Sequence, residues 1–222
     1  MCRPILVFLL LCIHLEVKAQ NWSLADYEDF TWDSFYRYEP AYQVLDPSDI
    51  DYPLLHAAIF YVSNEYRTKQ GLPAFRYSYK IEKLAADHAG DMVKHNFYGH
   101  QSKIRNKRKL RDRFQIVGLN PPLIAENISA TAGIDYEYGK RIYPPTSPGE
   151  FIYQGKESEP VPYHSYISYA REIVQLWIDS PGHRANLVNP GLNQMAAGCA
   201  IYPEKSFYNM PYFINVQCFS NE

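Results

Sequence analysis

Leu176-Trp177-Ile178-Asp179-Ser180-Pro181-Gly182-His183-Arg184-Ala185-Asn186-Leu187 ends one helix and begins another turn of chain. Upstream of it, Tyr169, Ile173, Leu176 and Trp177 recur at helical spacing, so 166–178 reads as an amphipathic helix. Ser180-Pro181 closes that helix: serine can cap the next turn and proline suits its first position. Gly182 lets the backbone turn sharply and present His183 to a cleft.

A second glycine–histidine step, Gly99-His100-Gln101-Ser102, follows another helical segment. Between the two lies Ala125-Glu126-Asn127-Ile128, an acid and an amide inside an apolar strand spanning 123–130. A buried carboxylate is costly without a partner, so a cation or histidine is expected beside Glu126. Helices are expected over 54–70, with Leu55, Ile59, Val62 and Tyr66 in one stripe, and over 80–95, with Ile81, Leu84, Ala85, His88 and Met92 in another. His88 sits inside its stripe and reads as a hydrogen-bonded core histidine. The segment 131–163 carries five prolines and reads as a long loop, a class that is functional or mobile.

The chain has 222 residues, 46% hydrophobic and 21% charged, with a net charge of −2. That mix excludes disordered, collagen-like and coiled-coil chains, and the charge gives no global attraction to nucleic acid or anionic lipid. Residues 1–19 read as a signal peptide: Arg3, a short apolar core, then Val17-Lys18-Ala19 as the cleavage site. Cys12 could mark a lipid anchor instead, but bulky Leu11 precedes it. No other stretch is long and apolar enough to span a bilayer. The expected location is therefore secreted or extracellular, or periplasmic in a bacterium.

Segment 20–51 reads as a solvated acidic N-terminal arm. An alternative lays it on the basic run 103–113, which itself reads as a solvated face rather than a nucleic-acid site. Asn21 and Asn127 both stand in glycosylation sequons, and Asn127 is expected to be buried. After cleavage only Cys199 and Cys218 remain, which in an exported protein implies one disulfide. Met195, Ala197, Cys199 and Ile201 form one apolar strand row, and Tyr212, Ile214, Val216 and Cys218 another. A hairpin between these strands is expected to join the sulfurs.

No G-x-S-x-G elbow, HExxH helix or phosphate-binding loop is present. The order of "HNFYGHQS" (His95 to Ser102), "AENI" (Ala125 to Ile128) and "LWIDSPGHRANL" (Leu176 to Leu187) resembles the CAP superfamily. Its members include the cysteine-rich secretory, antigen 5 and pathogenesis-related proteins, also called SCP domains. "NEYRTKQGLPAFRYS" (Asn64 to Ser78) and "LAADHAGDM" (Leu84 to Met92) fit as well, and "SPGHR" is more like the bacterial-type branch.

The resemblance implies an α+β fold over 52–222, an α-β-α sandwich with a central antiparallel sheet between helical layers. It also implies a cleft where His100, Glu126 and His183 meet, with a second acid at the position held here by Ser180. Asp179 beside it, or Glu172 earlier in the helix, could take that place. Two imidazoles and a carboxylate could hold zinc or another divalent cation. Alternatively, the same groups could satisfy one another. The leading expectation is a monomeric binding module whose cleft of His100, Glu126, Asn127 and His183 takes an extracellular lipid, glycan or protein. The alternative is a metal-assisted hydrolase with Glu126 as general base.

Overall fold

The computed structural model describes residues 22–155 and 158–222; the signal-peptide reading of 1–19 and the Asn21 sequon lie outside them. In chain order the elements are α1 (Asp26–Asp29), α2 (Trp32–Phe35), α3 (Tyr52–Lys69), β1 (Arg76–Tyr77), α4 (Tyr79–Lys94) and α5 (Leu110–Ile116). Then come β2 (Ile124–Ala132), α6 (Tyr166–Asp179), α7 (Pro181–Leu187), β3 (Gln194–Glu204) and β4 (Met210–Ser220). The sheet runs β1-β3-β4-β2 and is antiparallel except for the two-residue β1, which pairs parallel to β3.

Helices cover both faces. α3 is buried on every side over 54–64, as a central helix is, with His56, Ser63 and Asn64 enclosed among its apolar residues. Asp51 accepts from the Leu54 amide at its start (3.0 Å), and Gly71, in the left-handed region, turns the chain at its end. With α6 and α7 it packs on the face bearing Met195, Ala197, Cys199, Phe213 and Phe219. α4 and α5 cover the opposite face, with Ala196, Ile214, Val216 and Cys218. The α-β-α sandwich is thus present.

α4 lies so close to β3 that a Cβ built on Gly198 would stand 2.0 Å from the Ala86 nitrogen. Only glycine allows that approach. α7 begins with Pro181 as read, but Ser180 makes no side-chain cap bond, so its capping role is corrected.

The disulfide expectation fails, and strand parity is the reason. Ala196 pairs with Cys218 and Cys199 with Asn215, so odd positions of β3 meet odd positions of β4. The two cysteine rows therefore belong to opposite faces of the sheet, three residues apart in register. Cys199 is buried among the α3 and α6 side chains and Cys218 under α4; both are free. A sheet cannot be crossed by one S–S bond.

The arm is also corrected. Its acids Glu28, Asp29, Asp33 and Glu39 do face solvent, but Trp22, Phe35, Ala41 and Leu45 are buried against α3. Trp22 sits among Tyr27, Phe30, Phe35, Tyr38 and Tyr61 at 5.3–5.8 Å between ring centres. Burying each such ring stabilises by about 1.5–3 kcal/mol, enough to order a short segment. Segment 131–163 is likewise packed, its Ile134, Phe151 and Val161 forming a small core with Met210 of β4.

Candidate functional site

β2 is an edge strand, and successive residues on it point to opposite layers. Glu126 faces α5 and the chain after α4, whereas Asn127 faces α7. The AENI segment therefore ties both helical layers to one sheet edge.

On the first side, His100 follows the turn that ends α4. His88 donates from Nε2 to the Gly99 carbonyl at 3.2 Å, anchoring that turn. Burial and the nearby Arg113 charge push His88 down to about 4, so it is neutral and acts as a core prop. His100 donates from Nδ1 to Glu126 Oε1 at 2.9 Å, and its side chain is 60% exposed against 3% for Glu126. Nδ1 being engaged, Nε2 is the nitrogen left for a ligand.

Arg113, buried on α5, completes the arrangement. It donates to Glu126 Oε2 at 2.5 Å, to the His100 carbonyl at 3.1 Å and to the Lys107 carbonyl at 3.3 Å. Burial alone would raise the Glu126 carboxyl. The His100 bond and the Arg113 charge outweigh it and hold the carboxyl below its usual range. Glu126 in turn raises His100, chiefly through their hydrogen bond. Sequence reasoning missed Arg113 because it ends a basic run that otherwise reads as solvated. The signal was Glu126 itself, a strand carboxylate requiring a cation.

On the second side, Asn127 is fully buried and both ends of its amide are committed. Nδ2 donates to the His183 carbonyl at 3.2 Å and to Gln217 Oε1 at 3.1 Å, and Oδ1 accepts from Asn186 Nδ2 at 2.8 Å. Asn127 thus latches α7 to the strand and is not a ligand-binding side chain, which corrects its expected role. Arg67 holds the other end of α7, donating to the carbonyls of Leu187, Asn189 and Leu192 at 2.8–3.0 Å. These bonds fix the backbone beneath His183. Its imidazole is lowered by partial burial and, secondarily, by the His100 charge.

Neither candidate second acid enters the site. Asp179 is exposed and accepts from Gln175 one turn earlier (2.8 Å). Glu172 lies at the far end of β2, accepting from Thr131 at 2.9 Å and standing 2.8 Å from His164 Nε2. Thr131 is five residues beyond Glu126, roughly 17 Å along a strand. Among the described residues no three His, Cys, Asp or Glu side chains converge to hold a metal. Both Glu126 oxygens are bonded and Arg113 adds a fixed positive charge, so the donor set offers two imidazoles and does not fit a three-ligand zinc centre.

No curated protein matches the chain. Among solved structures, an extracellular SCP-domain protein from Bacillus anthracis is 23% identical with a TM-score of 0.49, over 76% of this chain and 40% of that one. An outer surface protein from Borrelia burgdorferi is 14% identical (TM-score 0.47), covering 75% of this chain and 92% of that one. The CAP domain of enterococcal PrgA is 12% identical (TM-score 0.44), covering 90% and 80%. This chain thus spans well under half the length of the Bacillus protein. The profile of the cysteine-rich secretory protein family matches residues 60–219, a stretch that takes in all of α4 to β3 and both histidines of the site. The chain belongs to the cysteine-rich secretory protein, or CAP, family.

Proposed function

We propose that this protein is an exported binding module whose cleft, floored by Glu126 and walled by His100 and His183, takes an extracellular lipid, glycan or protein ligand. The observation that carries this reading is the commitment of Glu126. A buried carboxylate bonded through one oxygen to His100 and through the other to Arg113 acts as an anchor rather than as a base. Its lowered proton affinity works the same way, since a general base at neutral pH is better served by a raised one. With Glu126 balanced by Arg113, His100 contributes an exposed imidazole whose proton affinity Glu126 raises, and His183 one whose affinity burial lowers. That pair suits a ligand group that accepts hydrogen bonds: a carboxylate, a phosphate or a sugar oxygen. Among the described residues no helix is long and apolar enough to cross a membrane.

Elemental analysis of the purified protein, beside binding measurements on His100→Ala and His183→Ala, tests the reading. The expected result is protein without stoichiometric metal whose affinity for a co-purified extracellular ligand falls in both variants. Stoichiometric zinc lost in both variants, together with loss of a hydrolytic activity, would overturn it.

A further inference from the structure

Away from the histidine cleft, a hollow of about 410 Å³ lies between the turn end of the β3–β4 hairpin and the loop after β2. That volume falls within the range of small-molecule sites, roughly 300–1,000 Å³. Ile134, Ile142 and Met210 give it an apolar floor. Tyr136, Phe207 and Tyr212 supply aromatic rings. Tyr136 stacks on Tyr153 at 6.0 Å and Phe207 on Phe151 at 5.6 Å, so both rings are held in place. The Tyr136 hydroxyl is committed to the Lys140 carbonyl, which leaves the ring, not the oxygen, for contact.

Glu172 is the sole charged side chain lining this hollow. Its two oxygens are oriented by Thr131 and by buried His164. Its ion-pair partner is the buried His164, 2.8 Å away, and no Lys or Arg pairs with it among the described residues. Burial would raise its carboxyl, but the bonds from His164 and Thr131 prevail and keep it below the usual range. An ionised, pre-oriented carboxylate at an apolar hollow with three rings calls for a cation with an apolar body. Aromatic faces attract such ions through their quadrupoles, and the Glu172 side chain, 41% exposed, is within reach of a ligand entering from solvent.

We infer that the hollow binds a small organic ammonium ion, its charged head between Glu172 and the rings and its hydrophobic body over Ile134, Ile142 and Met210. This site is independent of the cleft at His100.

The test uses the whole exported chain labelled at Ile and Met methyls, titrated with benzyltrimethylammonium and, in parallel, with benzyl alcohol and phenylacetate. Shifts are expected at Ile134, Ile142 and Met210, with the neutral and anionic compounds at least roughly tenfold weaker. Glu172→Gln should weaken the cation by a similar factor and Tyr212→Leu by several-fold. Melting curves check that each variant folds. Should Glu172→Gln fail to fold, the comparison of cation with neutral compound on the unaltered protein decides. Equal binding of benzyl alcohol, or no shift at millimolar cation, would overturn the inference. So would capture of phosphatidylcholine vesicles without binding of the free ion.

Discussion

Replacing Arg113 with Met tests how the buried Glu126 carboxylate is held. The substitution removes three hydrogen bonds and leaves Glu126 buried with His100 on Oε1 and only the weak contact from the Cys218 thiol (3.7 Å) on Oε2. Breaking a buried ion pair by deleting one partner costs about 3–5 kcal/mol. Because His100 remains, we expect the low end, about 3 kcal/mol, or a fall in Tm of roughly 6–12 °C for a domain of this size. The sign of the pH dependence follows from Glu126. In the unaltered protein its folded-state proton affinity is depressed, so its contribution is present at neutral pH and lost as pH falls through the depressed value. Without Arg113, burial dominates and the affinity rises above the unfolded one, so the variant loses stability as pH climbs past the ordinary carboxyl value of 4.5. The gap between the two proteins should therefore widen from acid to neutral pH. Urea denaturation followed by tryptophan fluorescence at several pH values reads it directly. The double variant Arg113→Met with Glu126→Gln should recover much of the loss. The reasoning is refuted if the single variant lies within about 1 kcal/mol of the parent at neutral pH, or if the double variant is no better than the single.

Two further predictions concern the sheet. Gly198→Ala should cost at least about 3 kcal/mol or prevent folding, since its methyl meets α4 backbone, whereas Gly90→Ala on α4, with open space around it, should gain up to about 1 kcal/mol; parallel urea curves check both. Cys199 and Cys218 should resist alkylation in the native protein and label fully in denaturant without reductant, as mass spectrometry of the digested chain would show; label appearing only after reduction would restore the bridge.

The helices and the strand of the site were legible because period 3.6 and period 2 record which face is buried, and no distant information is needed to see it. Glycine and proline punctuation located the turn before His100 and the start of α7 at Pro181, but Gly182 lies inside α7, so His183 stands on a helix and not at a glycine turn. What failed was parity between strands. Each cysteine row was read correctly as apolar, but whether two rows share a face depends on hairpin register, which neither strand contains by itself. The same alternation separated Glu126 from Asn127, adjacent in sequence and devoted to different layers. The arm misled because its acids dominate its composition, yet the irregularly spaced Trp22, Phe35 and Leu45 decide where it lies. Arg113 was hidden among seven basic residues between 103 and 113; only the tertiary fold picks out the one that meets the carboxylate.

The central claim is that His100, Glu126 and His183 share one electrostatic site, and side-chain NMR titration of the histidines tests it most directly. His100 should titrate above the ordinary 6.5 and His183 below it. Glu126→Gln should bring His100 down, and His100→Ala should bring His183 up, because each substitution removes the charge that displaces its neighbour. If both histidines titrate alike and neither substitution moves the other group, the three residues do not form a common site and the account is contradicted.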